Sequence, residues 1–264
     1  MTEPVSVLAV DLGPGVRAGF STRAGGVGSG PQAGLNLGLN VSDRVDDVLA
    51  NRALVARWVG GPVVFATQVH GVDVAVVGSP LAPPTEPAAP SIGCYDGLVC
   101  ASGIAIGVLV ADCVPVLLAD PEAGVVGAVH AGRRGLAAGV VQAALARMVA
   151  LGARPGRTRA AIGPAICGAC YEVPAPLRAA VSDVVPDTWA TTSWGTPALD
   201  LPAGVGAVLA AAGVLAVQRL DTCTLTDQRF YSHRRAQRDG TGNGRFAGLI
   251  RAAAGAPGVS VPVR

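Results

Sequence analysis

The chain has 264 residues, half of them hydrophobic and only 14% charged, which excludes a disordered polymer and leaves enough material to bury a substantial core. A net charge of +2 is too small to argue for nucleic acid or an anionic membrane as partner. All twenty basic residues are arginine, so Schiff-base and P-loop chemistries, which need a lysine, are excluded.

The start of the chain carries Glu3 and no basic run, unlike a signal peptide, and a cytoplasmic location is expected. Val5–Val10 and Val16–Ser21 have strand character and precede a glycine-rich loop from Arg23 to Gly30. Apolar spacing predicts a helix over Val45–Trp58, with Ser42 or Asp43 as its N-cap. Val63–Gln68 and Val72–Val77 are predicted strands on either side of His70, and the proline-rich stretch Pro80–Pro90 a loop. Ile104–Val110, Val114–Ala119 and Val125–His130 are apolar runs of strand length. The first two form the most apolar stretch of the chain, but Asp112 and Pro115 inside it argue against a membrane helix. Leu136–Leu151 is alanine-rich and predicted helical, ended by Gly152. Further expectations are a strand at Ala160–Ile162, helices at Pro176–Val185 and Pro202–Ala212, a strand at Leu215–Leu220, a terminal helix at Gly244–Ala254 and a frayed tail at Gly255–Arg264. The irregular alternation implies a mixed α/β (α+β) architecture in a single catalytic domain, residues 1–264, with about residues 5–254 ordered.

Chemistry concentrates around two of the three histidines and one cysteine: Gln68-Val69-His70-Gly71, Ala111-Asp112-Cys113 and Val129-His130-Ala131-Gly132. Asp120-Pro121-Glu122-Ala123-Gly124 is a turn sequence between two apolar runs. If Asp120 pairs with Ala123 or Gly124, Cys113 faces His130 directly or lies one residue off, and opposed Cβ atoms lie about 4.5–5.5 Å apart. A thiolate and an imidazole at that separation can share one zinc ion, with His70 as the third ligand from another strand. The same pair suits a thiolate nucleophile with a histidine base, a Cys–His hydrolase or amidase. Arg133 and Arg134 follow His130 at the start of the predicted helix and form a candidate anion site. Asp112 is a candidate proton shuttle or an orienting partner for a ligand. Cys167-Gly168-Ala169-Cys170 has the spacing of a redox or zinc pair but lacks a second pair, and a loop-structural role is expected; Cys94, Cys100 and Cys223 are expected to be structural. His233, between Ser232 and Arg234, is a candidate contact for phosphate or substrate.

These segments resemble the YfiH-type family, once described as multicopper polyphenol oxidoreductases or laccase-domain proteins and now as purine nucleoside phosphorylases. The resemblance is carried by Phe20-Ser21-Thr22-Arg23-Ala24-Gly25-Gly26-Val27, Gly34-Leu35-Asn36-Leu37-Gly38, Asn51-Arg52, the three motifs around His70, Cys113 and His130, Ile162-Gly163-Pro164, Tyr171-Glu172-Val173, Asp221-Thr222-Cys223-Thr224 and Ser232-His233-Arg234-Arg235. It implies an α/β/β/α sandwich with mixed sheets, like that of cysteine hydrolases, and a single zinc on His70, Cys113 and His130, with copper(II) as an alternative occupant. The implied activities are phosphorolysis of adenosine, inosine and methylthioadenosine, and hydrolytic deamination of adenosine. The implied partners are a purine nucleoside and phosphate, in a monomer or homodimer, and some members are linked to editing of peptidoglycan precursors. Arg23 and Asn36 are expected at the pocket on the same grounds. The family usually has Trp where this chain has Arg133. A true laccase is excluded, because a multicopper centre needs many more histidines than three.

Overall fold

The computed structural model describes residues 5–78 and 91–253. In chain order these form β1 (Val7–Val10), β2 (Val16–Ser21), α1 (Val45–Val59), β3 (Val63–Val64), β4 (Val74–Val77), β5 (Gly97–Cys100), β6 (Ala105–Val110), β7 (Val114–Asp120), β8 (Val125–Ala131), α2 (Arg133–Ala138), α3 (Val140–Ala150), β9 (Arg159–Ile162), α4 (Ala175–Ser182), β10 (Trp189–Thr191), β11 (Pro197–Leu199), α5 (Leu201–Ala211), β12 (Ala216–Arg219), α6 (His233–Asp239) and β13 (Phe246–Ala252). Two mixed sheets dominate, one in the order β1-β2-β13-β6-β3 and one in the order β12-β9-β7-β8-β5-β4. Parallel pairs (β3 with β6, β4 with β5, β9 with β12) join antiparallel ones in both sheets.

The sheets pack face to face. Phe20, Ile106, Val108 and Ile250 from the first meet Leu98, Leu117, Ala128 and Ala161 from the second in one apolar layer. The outer face of the second sheet is covered by α3 and α5 through Leu145, Met148, Val205 and Leu209. α1 covers the outer face of the first, placing Val55 with Phe65 and Leu249. The result is an α/β/β/α sandwich. β7 and β8 are buried at every position, which explains why their sequences are continuously apolar instead of alternating.

Four expectations are corrected. The C-terminal segment is a strand, not a helix: β13 lies between β2 and β6 and pairs with both. Its Ala, Leu and Arg favour helix locally, but backbone pairing on both edges and burial on both faces override that preference. The helix expected over Leu136–Leu151 starts at Arg133 and breaks at Gly139, which takes φ 97° between α2 and α3. α1 is capped by Arg44 with no side-chain cap bond, since the Asp43 carboxylate instead accepts from the Asn36 amide at 2.7 Å.

The fourth correction concerns the β7–β8 register. Asp120 pairs with Val125 and Pro115 with His130, so Cys113 lies two positions from the residue facing His130. Asp120 sets this register. Its Oδ1 accepts from the Glu122 and Ala123 N–H groups, and its fully buried carboxylate also takes Arg157 at 2.8 Å. The turn therefore uses all four residues from Pro121 to Gly124. Residues 65–68 and 72–73 fall outside strands, β5, β10, β11 and α6 were not foreseen, and the stretches Pro80–Pro90 and Gly255–Arg264 lie outside the described residues.

A candidate metal centre between two pocket lobes

His70, Cys113 and His130 converge at one end of the second sheet. One ligand atom from each lies within 4.8 Å of the others, forming a group that could hold a metal ion. The His70 Nε2 is 3.7 Å from the Cys113 Sγ, and the two imidazoles meet edge to face with centroids 4.8 Å apart. Pairing in the corrected register keeps Cys113 and His130 on the same side of the sheet, because a shift of two residues preserves the face.

The residue that organizes the cluster is Asp96, which sequence reasoning missed. It precedes β5 and is buried. Its Oδ1 lies 2.7 Å from the His130 Nδ1, which leaves Nε2 as the ring's remaining donor atom. The same carboxylate accepts the backbone N–H groups of Val69, His70 and Gly71 at 3.1, 2.9 and 2.7 Å. These bonds hold His70 in the left-handed region at φ 62°, a conformation that non-glycine residues seldom adopt without such support. One carboxylate thus orients both histidines. The only sequence signal was an acidic residue at the head of an apolar run.

Gly132 closes the centre from the other side. A Cβ there would stand 2.6 Å from the His70 Cδ2 and 3.2 Å from the Cys113 Sγ, so the backbone packs directly against two of the three residues of the cluster. Gly135 is also constrained, since its Cβ would lie 2.8 Å from the Gly71 carbonyl.

Burial works against charge at all three members of the Cys113–His130–Asp96 chain, yet neighbouring charges and hydrogen bonds shift each toward its charged form. Burial raises the Cys113 thiol, but the nearby His130 charge and the bonds to His130 and His70 outweigh it and bring it down to about 6. Burial lowers His130, but the Cys113 thiolate and the Asp96 carboxylate outweigh it and lift the ring to about 9. Burial likewise disfavours the Asp96 carboxylate, which nevertheless stays below its ordinary range through His130 and the Gly71 and Val69 N–H groups.

The donor set fits a borderline-soft divalent ion. A tetrahedral ion with bonds of about 2.0–2.3 Å spaces its donors about 3.3–3.8 Å apart, and the His70–Cys113 separation lies within that range.

Two lobes open from this cluster, and His70, Cys113 and His233 line both. The larger, about 410 Å³, has walls that include Leu39, Val41, Ala66 and Leu109, with Arg52 and Arg245 among them. Arg52 lies 4.7 Å over the Phe65 ring, and burial lowers its pKa to about 10. The smaller, about 310 Å³, is lined by Arg133, Arg134, Arg234 and Tyr171. Arg52, Arg234 and Tyr171 stand in segments that carry the family resemblance but were given no site role, and Arg245 was not singled out; their positions follow from pairings distant along the chain.

The remaining expected residues fall as follows. Arg133 and Arg134 reach the smaller lobe, but α2 is only six residues long, so any anion site there rests on the arginine side chains. Asp112 also lines this lobe. It adopts φ 91°, and both its oxygens are engaged, one by the Thr224 hydroxyl at 2.6 Å and one by the Arg234 N–H at 2.7 Å. His233 begins α6 and bonds the Asn243 side chain; burial and the nearby Arg245 charge lower its pKa. Asn36 is buried beneath the larger lobe, where its side chain bonds Asp43, the Gly38 backbone and the Arg245 N–H. Arg23 is not brought to the cluster. It stacks on Tyr231 and lines a separate cleft with Ser232 and Arg235.

Fold and site together define a mixed α/β sandwich built around a His–Cys–His centre at the junction of two lobes. The chain belongs to the family described as multi-copper polyphenol oxidoreductase laccase, whose model matches residues 17–253. It is 52% identical over 235 residues to purine nucleoside phosphorylase ORF3 of Streptomyces griseus, covering 88% of this chain and 92% of that one. It is 37% identical over 238 residues to purine nucleoside phosphorylase YlmD of Geobacillus stearothermophilus, covering 84% and 85%. The crystal structure of YlmD from that organism superposes with a TM-score of 0.81 at 34% identity, covering 90% of this chain and 92% of that chain. YfiH of Bacillus licheniformis, a hypothetical protein, superposes with a TM-score of 0.81 at 28% identity, covering 95% and 100%. No helix among the described residues is long and apolar enough to cross a membrane.

Proposed function

We propose that this protein is a zinc-dependent purine nucleoside phosphorylase that also deaminates adenosine, with adenosine, inosine and methylthioadenosine as substrates. The observation that carries this reading is the position of the His70–Cys113–His130 cluster at the junction of two lobes, a larger one of mixed apolar and polar lining and a smaller one with three arginines. A purine nucleoside carries no charge and joins a flat aromatic base to a polar ribose, which suits the size and mixed lining of the larger lobe. Phosphate is a compact anion, which suits Arg133, Arg134 and Arg234.

In phosphorolysis a phosphate oxygen attacks C1′ of the ribose, the bond from C1′ to the ring nitrogen breaks, and its electron pair stays with the purine. Arg133 and Arg134 would fix the phosphate in line with that bond, and Arg234, anchored to the Glu172 carbonyl, would complete the cradle. His233 touches both lobes and, with its pKa lowered, presents a neutral ring that can hydrogen-bond the sugar or the departing base. Asp112 would act by holding Arg234 and Thr224 in place, its oxygens being engaged already. His70, Cys113 and His130 would hold the zinc ion, with copper(II) as an alternative occupant; when bound, it supplies Lewis acidity at the junction of the lobes. Asp96 would keep His130 in the tautomer that binds metal through Nε2.

A second reading is favoured by one observation: the depressed Cys113 pKa beside a raised His130 is also what a Cys–His hydrolase needs. One experiment separates the two. Zinc-loaded protein is incubated with adenosine and with inosine, with and without phosphate, and free base, inosine and ribose phosphate are followed by chromatography. Phosphate-dependent base release that disappears on chelation and returns with zinc supports the proposal. Absence of base release from fully zinc-loaded protein refutes it, and activity that survives complete chelation favours the thiolate nucleophile.

A further inference from the structure

Outside the centre just described, three cysteines from two distant loops meet. Cys167 and Cys170 lie on one turn, in which the N–H groups of Cys170 and Tyr171 both donate to the Cys167 carbonyl. Cys223 lies on the loop after β12. The two loops are tied as a short parallel bridge between Ala165 and Cys223: the Ala165 N–H donates to Thr222 and the Thr224 N–H to Ala165. This pairing places the third sulfur against the first two, so all three Sγ atoms lie within 4.8 Å of one another. All three are free thiols, partly but not fully buried.

We propose that Cys167, Cys170 and Cys223 form a second metal site, a three-thiolate site for a thiophilic divalent ion such as zinc, separate from the His70–Cys113–His130 centre. Three donors at this spacing match the first three corners of a tetrahedral zinc site. Zinc–sulfur bonds of about 2.3 Å place sulfurs about 3.8 Å apart, and the fourth corner falls to solvent water. The pattern is a soft-ligand one, all sulfur and no carboxylate, which selects against magnesium and calcium. The surroundings of Cys223 suit charged sulfur, whereas in the metal-free site burial and the neighbouring Cys223 push the Cys167 and Cys170 thiols up. The Cys167 N–H points at the Cys223 Sγ at 3.5 Å, and the Leu225 and Thr226 N–H groups face the same atom; such N–H donors orient and stabilise metal-bound thiolates. On binding, three sulfur–metal bonds form and each sulfur still protonated releases its proton to solvent.

The site would serve the active centre through the scaffold. Ile166 and Tyr171, which flank the first two cysteines, line the smaller lobe. Thr224, next to Cys223, holds Asp112, and the Ile166 N–H bonds the Asp112 carbonyl. An ion on the three sulfurs would fasten both loops behind the arginine-lined lobe.

The test is metal stoichiometry and cobalt substitution under anaerobic, reducing conditions, with three forms of the whole protein. After loading and desalting, the wild type is expected to hold about two zinc ions per chain, and Cys113→Ala and the double variant Cys167→Ser/Cys170→Ser about one each. With cobalt(II) in place of zinc, Cys113→Ala should keep about three quarters of the thiolate-to-cobalt charge-transfer absorption, because three of the four ligand sulfurs remain. Cys223→Ser alone should weaken that band and lower the melting temperature of cobalt-loaded Cys113→Ala, a result that does not depend on the double variant's folding. Loss of all bound zinc in folded Cys113→Ala, or no thiolate–cobalt absorption in that variant, would overturn the proposal. Both readouts are independent of catalytic activity and stand whether or not phosphorolysis is found.

Discussion

Asp96 and His130 are joined by a 2.7 Å bond within the protein interior, and the same carboxylate holds the loop that presents His70, accepting the His70 N–H on the oxygen that meets His130 and the Val69 and Gly71 N–H groups on the other. The charge of one aspartate therefore orients the ring of one histidine of the cluster and the backbone of the other. Asp96→Asn keeps the shape and removes the charge. We expect zinc affinity to fall about 10–100-fold, and unfolding free energy to drop by about 3 kcal/mol, since a buried ion pair loses one partner. Competition with a chromophoric chelator and urea denaturation measure the two effects. Unchanged zinc affinity would show that Asp96 does not orient the histidines.

Gly132 is needed for space, not for backbone freedom: its φ of −75° suits any residue. Gly132→Ala should therefore spare the helix that follows while pushing His70 and Cys113 apart, at a cost of about 1–3 kcal/mol in overpacking. The expected outcome is a folded chain with at least about tenfold weaker zinc binding, on the basis that 1.4 kcal/mol is a factor of ten. Circular dichroism beside a zinc titration would check it, and full zinc affinity in the alanine variant would contradict the packing.

The thiolate–imidazolium pair predicts an unusual pH response of the metal-free protein. Cys113, lowered from 9.0 to about 6, contributes stability that is complete above pH 9 and is lost as pH falls through about 6. His130, raised from 6.5 to about 9, contributes stability that is complete below pH 6.5 and is lost as pH rises through about 9. Between pH 6.5 and 9 the two slopes oppose each other, so this pair should leave unfolding free energy nearly flat there. Alkylation of Cys113 by iodoacetamide should nevertheless rise through a midpoint near pH 6. A midpoint near 8.5, the value of a free thiol, would remove the ion pair from the account.

If the smaller lobe holds phosphate, removing its arginines should affect phosphate more than nucleoside. Arg133→Ala and Arg134→Ala are each expected to raise KM for phosphate about tenfold or more, since a hydrogen bond to a charged group contributes about 1.5–3 kcal/mol. KM for inosine should change little. Equal effects on both substrates would place the anion elsewhere, with Arg52 and Arg245 in the larger lobe the next residues to examine.

The His70–Cys113–His130 cluster was legible in the sequence because its three residues stand beside small residues at the ends of apolar runs and in segments that carry the family resemblance, and a shift of two positions in register still leaves Cys113 and His130 on one face. The register itself was misread because it depends on where the Asp120 carboxylate finds donors, including Arg157 far along the chain. Asp96 was hidden for the same reason: an acidic residue before a strand has no local pattern that marks it as the partner of residues 69–71 and 130. The family resemblance carried the layer architecture. Propensity failed at β13, where two neighbouring strands decide the conformation. Cys223 looked solitary because the bridge that brings it to Cys167 joins residues more than fifty positions apart.

The position of β13 has a consequence for biosynthesis. Until Phe246–Ala252 has emerged from the ribosome, β2 and β6 each present a bare edge, and the apolar layer between the sheets lacks Ile250. The first strands made must wait for the last, and pairings of such long sequence separation form slowly. A nascent chain halted before Phe246 should therefore stay protease-sensitive, and its open edges invite association with other chains.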